Sequence, residues 1–352
     1  MMHAMLRILL LGLWVSIALA DEMQSTAPQS LTHFVVIGDM PYTESEYTLL
    51  EQPDGAIAKA IKTLAPPVLI HLGDFKRGLM SCSDELLRDH YRQIAFLNPH
   101  KTVYTPGDNE WTDCDRLTLS GRYDELERLN FLRELFFHQD NHQLSKSVPG
   151  LIRQDGFIEN ALWKIDQVVF ATLHIPGTNN GRREILSSNI EDALNEADRR
   201  DRFNAEWLQK ILQQAESAQA IVLAFHADIL YFDHEKPACT HDNRTACDGY
   251  KNIRDSIKTM VQKFGKPVLL IHGDTQAYCL HQPYYEIHNL WRLNAPGDAK
   301  YIDAAQVTFD TGNATIPFAV TSLLDRKPAP AICNDNLIDL PIPMPLSMDT
   351  HR

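Results

Sequence analysis

Four short apolar runs in this chain end in Gly-Asp, and that recurrence narrows the available folds more than any bulk property. The runs at 33–37, 67–72, 101–104 and 267–271 lead into Gly38-Asp39, Gly73-Asp74, Gly107-Asp108 and Gly273-Asp274. A fifth run, 221–225, leads into His226, with Asp228 close behind. Continuous apolar character with many β-branched residues predicts strands buried on both faces. Between them, helical spacing of apolar residues predicts helices over 56–64, 85–96, 123–137, 189–219 and 253–264. Two alternating stretches, 156–175 and 300–318, predict antiparallel strands. The whole reads as α/β with some antiparallel sheet, in one domain spanning 31–338.

In α/β sheets, ligands sit outside the carboxyl ends of strands, where glycine lets the chain turn sharply. One Gly-Asp is an ordinary turn; four of them with a strand-end His are a constellation. Asp39, Asp74, Asp108 and Asp274, if gathered there, would repel one another and stay partly protonated without a cation. Carboxylate, imidazole and amide donors together suit Mn, Fe, Zn or Mg. Two such ions about 3.5–4 Å apart form a clamp for displacement at phosphorus.

Residues 1–20 read as a secretory signal: Arg7, an apolar run to Ala20, and the small-x-small ending Ala18-Leu19-Ala20. That run falls short of the roughly 20 apolar residues of a membrane span, so no span is expected. A secreted or periplasmic protein is predicted. The formal charge is −13, and without Arg7 the count is 32 basic against 46 acidic residues, or −14. No Lys/Arg stripe interrupts it, which argues against nucleic acid as an obligate partner. The six cysteines suit an oxidising compartment. Cys239 and Cys247 bracket a polar loop, Cys82 and Cys114 each follow an expected site strand, and Cys279 and Cys333 remain for each other, although sequence alone leaves the pairing open. The proline-dense tail, 339–352, is expected to lie outside the domain.

In order along the chain, these motifs resemble the calcineurin-like metallophosphoesterase superfamily, which includes the purple acid phosphatases. Asp39 in Ile-Gly-Asp-Met-Pro-Tyr stands at the first family motif. Asp74 stands at the second, where the family's Asp bridges two metals. Gly107-Asp108-Asn109-Glu110-Trp111 occupies the third, His226 the fourth, and His272-Gly273-Asp274-Thr275-Gln276 the last. The resemblance implies a four-layer fold of two packed mixed sheets flanked by helices. It also implies hydrolysis of a small phosphate ester by a metal-activated hydroxide, with Asp39, Asp74, Asp108, Asn109, His226, Asp274 and Gln276 as metal ligands. The alternative is a degenerate descendant of that fold kept as a binding or scaffold protein.

The sequence departs from the family at Pro41, where a His is usual, and at Gln276, which also replaces a His. One firm metal site and one weaker site are therefore expected, holding Mn, Fe or Zn. Asn109 falls where the family's leaving-group His stands, so Asn109 and His272 are the candidates for that catalytic role. The loop with His174, Asn179 and Asn180, and the pair Lys76 and Arg77, are candidates for substrate contact; ordinary turn and solvated-surface roles are the competing readings.

Overall fold

Along the strand Ala220–Ala224, side chains alternate between two apolar interiors. Ala220, Val222 and Ala224 face one and Ile221 and Leu223 the other. This two-sided burial is why the strand reads as an unbroken apolar run. The computed structural model describes residues 31–138, 141–230, 236–313 and 315–333; the expected signal segment and proline-dense tail lie outside the described residues.

Twelve strands are present among these residues: β1 (Leu31–Ile37), β2 (Leu69–His71), β3 (Thr102–Tyr104), β4 (Ile152–Gln154), β5 (Phe157–Ile165), β6 (Val168–Thr172), β7 (Ala220–Ala224), β8 (Val268–His272), β9 (Cys279–His281), β10 (Leu290–Asn294), β11 (Ala305–Asp310) and β12 (Phe318–Ser322). They form a five-stranded sheet, β12-β11-β1-β2-β3, and a seven-stranded sheet, β4-β5-β6-β7-β8-β10-β9. Both are mixed. Parallel cores β1-β2-β3 and β6-β7-β8-β10 carry antiparallel strands at their edges.

The inner faces meet in one core, where Phe34 of β1 sits edge-on to Phe170 of β6 with ring centres 5.0 Å apart. Helices Glu44–Leu50, Ala56–Leu64 and Asp84–Leu97 cover the outer face of the smaller sheet through Leu50, Ile57, Ile61 and Leu97. Helices Ile190–Gln214 and Lys251–Phe264 cover the larger one through Trp207, Leu208, Ile211, Ile257 and Val261. The result is an α/β fold of two packed mixed sheets flanked by helices.

Register brings the parallel strands to a common edge. Ile37 pairs with His71 and His71 with Tyr104, while Ala224 pairs with Ile271. Beyond that edge the sheets are tied together, because the Leu72 carbonyl accepts from His226 Nδ1 at 2.9 Å. Disulfides join Cys82 to Cys114, Cys239 to Cys247 and Cys279 to Cys333, the expected pairs.

Several boundaries differ from the sequence expectation. The helix expected over 123–137 is α-helical only at Glu125–Leu132 and widens into a π-turn at Arg133–His138. The one expected over 189–219 stops at Gln214. Residues 300–304 are not a strand. β9 and β10 are additional, as is the helix Glu44–Leu50. A reciprocal cap starts that helix: Glu46 N donates to Thr43 Oγ1 at 3.3 Å, and Thr43 Oγ1 donates to Glu46 Oε1 at 3.2 Å. Glu46 also takes the Tyr42 backbone N–H at 2.6 Å, which fixes the start of the helix beside the site.

Candidate metal centre

Loops from the C-terminal ends of both sheets line a cavity of about 740 Å³. Asp39, Asp74 and Asp274 turn there with φ of 52°, 53° and 62°, and a fourth aspartate, Asp298, with φ of 49°. Non-glycine residues rarely adopt this left-handed region, and each costs on the order of 1–3 kcal/mol and persists only where its surroundings impose it. Here they do. Asp39 N donates to the Gly73 carbonyl at 3.1 Å, and Asp39 Oδ1 accepts from Asp274 N at 2.9 Å. Asp74 N donates at 3.0 Å to Glu110, a buried carboxylate that also accepts from Gly107 N at 2.8 Å and the Tyr104 hydroxyl at 2.7 Å. Glu110 thereby locks the second and third Gly-Asp turns together.

Of the glycines before Asp39, Asp74, Asp108 and Asp274 only Gly73 takes a positive φ, at 93°, and close approach is what requires the others. A Cβ on Gly107 would collide with Asp74 Oδ1, one on Gly177 with Asp108 Oδ2, and one on Gly273 with Asp39 Oδ2. Each carboxylate rests on a bare backbone.

His226 is fully buried at the centre. Its Nδ1 is committed to the Leu72 carbonyl, which fixes the tautomer and leaves Nε2 facing acids. Asp108 Oδ1 lies 3.2 Å away, Asp74 Oδ1 3.5 Å and Asp274 Oδ1 3.7 Å. Two overlapping groups, Asp39-Asp74-His226 and Asp108-His226-Asp274, each bring their ligand atoms within 4.8 Å of one another. Burial by itself would lower the His226 pKa, but Asp74, Asp108 and Asp274 outweigh it and raise it well above the ordinary range. Burial, with help from neighbouring carboxylates, pushes the Asp39 and Asp74 carboxyls well up. Burial opposes ionisation of Asp108 too, yet its hydrogen bond to His226 prevails and lowers it.

One imidazole faces four carboxylates in this cluster, so positive charge is in short supply. Asp39 Oδ2 is buried with no hydrogen-bond partner, as a ligand oxygen would be. These buried Asp and His groups can hold a metal ion, and an oxygen-rich set with one imidazole suits a hard or borderline cation.

Asn109 lies on the cavity wall and belongs to the cluster. Its amide donates to Asp74 Oδ2 at 2.5 Å and to the Tyr42 hydroxyl at 3.3 Å. Gln276, Asn179 and Arg77 also line the cavity, with the Asn179 side chain tied to Cys247 O and Gly249 N. His272 does not reach it. That ring is buried, stacks on Phe225, accepts from Arg292 Nε at 2.8 Å and meets the Gly273 carbonyl at 2.8 Å. An Arg-bound ring behind the wall is not placed to serve a leaving group.

His174, Asn180 and Lys76 are likewise fully buried, and each is held by partners of its own. His174 sits 3.4 Å from Glu159, its pKa pushed down to about 4 by burial. Asn180 donates to Asp201 at 2.6 Å. Lys76 donates to the Arg77 and Met80 carbonyls, and burial lowers its pKa to about 8.

Among the cavity residues that sequence reading missed are Tyr42, Arg116, Thr178, Arg183 and Asp298. Tyr42 donates to Asp74 Oδ2 at 3.2 Å, and Thr178 Oγ1 to Asp108 Oδ2 at 2.9 Å. Asp298 had a signal, because Gly297-Asp298 is a fifth Gly-Asp, and all five such dipeptides in the chain meet here. Fold and site thus define a two-sheet α/β protein with a buried aspartate–histidine group at its strand ends. A scan against protein-family models finds no match, and a search of curated proteins finds none either.

Proposed function

We propose that this chain is an exported, metal-dependent phosphoester hydrolase of the calcineurin-like type. The observation that carries the reading is His226 Nε2 facing Asp74, Asp108 and Asp274 at 3.2–3.7 Å, at the strand ends of two packed sheets. Asp74, Asp108, His226 and Asp274 hold one cation firmly, and Asp39 with Gln276 serves a weaker second site. Mn, Fe or Zn fits this donor set. A bound cation supplies Lewis-acid stabilisation of phosphoryl oxygens and acidifies water.

The remaining work belongs to the chain. Asn109 and Tyr42 orient Asp74, and Thr178 orients Asp108. A water oxygen forms the new P–O bond, the ester P–O bond breaks, and the alcohol oxygen leaves with a proton supplied by solvent in the wide cavity. Three disulfides and the signal-like segment 1–20 support export.

The test is Asp74→Asn, assayed beside the parent with Mn²⁺, Fe²⁺ or Zn²⁺ on phosphate mono- and diesters. Asp74 contacts Asn109, Tyr42 and His226 at once, so kcat/KM should fall by about 10³ or more while circular dichroism stays unchanged. A variant that retains the parent's rate would sink the hydrolase reading.

A further inference from the structure

Cationic side chains are not scattered round this cavity. Arg77, Arg116 and Arg183 are its guanidinium groups among the described residues, and they share one stretch of wall. A Cβ on Gly78, next to Arg77, would touch both Arg116 Nη1 and Asn109 Oδ1, so that loop, the Arg116 guanidinium and the Asn109 amide crowd one small volume. From the other side, Arg116 Nε lies 3.7 Å from Glu184, the neighbour of Arg183. Asp113 anchors Arg116 at 2.6 Å, and Asp113 in turn accepts from Thr178 Oγ1 at 3.2 Å, the hydroxyl that holds Asp108. The arginine wall therefore begins beside the metal-ligand cluster and extends away from it.

Background charge makes this arrangement meaningful. Eight carboxylates line the cavity and the chain carries −13 overall, so nothing general about the surface attracts anions. The volume of about 740 Å³ lies in the range that encloses a whole small ligand, roughly 300–1,000 Å³, and far exceeds a lone phosphate group. Guanidinium groups match phosphate and carboxylate geometry with paired N–H donors. Leu79, 51% exposed at the rim, is the apolar neighbour of this wall.

We propose that Arg77, Arg116 and Arg183 form an anion subsite beside the metal-ligand cluster, and that the substrate is a small phosphoester bearing a second anionic group, phosphate or carboxylate. This rests on the hydrolase reading above. The cluster takes the phosphate that is cleaved, and the arginine wall takes the second anion.

Glycerol 3-phosphate, 3-phosphoglycerate and glycerol 1,3-bisphosphate differ mainly in that second group, and phosphate release from each by the Mn²⁺-loaded protein provides the test. KM should be lower by about tenfold or more for the carboxylate-bearing or the bisphosphate ester, which also tells the two sources apart. Arg77→Ala and Arg183→Ala should each shrink that preference to about twofold. Calorimetric binding of phosphonoacetate against methylphosphonate repeats the comparison without turnover. Equal KM values in the parent, or losses in the variants that fall equally on all three esters, overturn the subsite. A parent that cleaves none of them overturns the hydrolase reading instead. In that case the subsite stands only if phosphonoacetate still binds about tenfold tighter and loses that advantage in both variants.

Discussion

A carboxylate packed against a bare backbone has no room to move, and Asp108 is the sharpest instance. Gly177 lies where any Cβ would strike Asp108 Oδ2, while His226 and Thr178 hold its two oxygens at 3.2 and 2.9 Å. Gly177→Ala should therefore push Asp108 off His226 and weaken metal binding about tenfold or more, measured by titration calorimetry with Mn²⁺, while the sheets remain folded. Unchanged affinity would show that Asp108 is not a ligand. A second residue-scale effect lies outside the cavity. Asp115 and Glu125 sit together beneath the backbone N–H groups of Leu186, Ser187 and Ser188, which donate to them at 2.6–2.7 Å. Burial, then the neighbouring Glu125, raises the Asp115 pKa to about 7. The Glu125 carboxyl stays below its usual range despite burial, because Asp115 and Ser188 hydrogen-bond to it. A carboxyl whose folded pKa is raised contributes stability below its unfolded value, and that contribution is lost as pH rises through about 7. Asn at 115 mimics the protonated form. Asp115→Asn should match the parent's melting temperature below about pH 4 and exceed it increasingly as pH rises to about 8, and a constant difference across that range would refute the shared proton.

The left-handed turn at Gly177–Gly181 is the element that joins site to scaffold. Thr178, Asn179 and Asn180 take φ of 53°, 55° and 59° in succession, a conformation Asn tolerates and β-branched Thr resists. Arg200, buried on the helix Ile190–Gln214, donates to Asn180 O at 2.6 Å and to Asn180 Oδ1 at 3.3 Å, and its guanidinium lies 5.3 Å from the Trp111 ring centre. Arg200→Met keeps the bulk but strands both acceptors, so it should destabilise by about 2–4 kcal/mol in chemical denaturation and weaken metal binding through Thr178. Stability loss without any change in metal affinity would separate the turn from the site. Elements like this mark the limit of what the sequence discloses. The strand-end glycines and aspartates were legible because close packing leaves glycine no substitute. The core strands were legible because burial on both faces keeps them largely apolar. β10 hid because it breaks that rule. Its Arg292 and Asn294 are buried, with Arg292 donating to His272 and Asp228 and Asn294 to Thr275. With β10 unseen, Gly297-Asp298 had no strand before it to place it at the common edge. Asn180 was misplaced because a run of left-handed residues sends adjacent side chains to different sides, and composition carries no record of which one faces the cavity.

For the molecule as a whole, charge and fold bear on one quantity, the stability gained on binding metal. Both sheets converge on a pocket of crowded acids in a chain already at −13, so the metal-free protein carries an internal repulsion that a cation would relieve. The two candidate groups overlap at His226, whose Nε2 has a single lone pair, because Nδ1 is spent on Leu72. One imidazole nitrogen serves one ion. The purified protein should thus contain close to one tightly held transition metal per chain by elemental analysis, with a second taken up only at high concentration. Metal that binds the folded state alone stabilises by about 4 kcal/mol at a thousandfold excess over its dissociation constant. For a chain of this length that corresponds to a rise in melting temperature on the order of 5–10 °C, and chelation should reverse it. Asp74→Asn supplies the internal control. Removing one acid from the cluster should leave the metal-free protein as stable as the parent or more so, while the gain on adding Mn²⁺ shrinks. Two tightly held ions per chain would break the argument from the single lone pair, and a melting temperature indifferent to both metal and chelator would break the argument from repulsion.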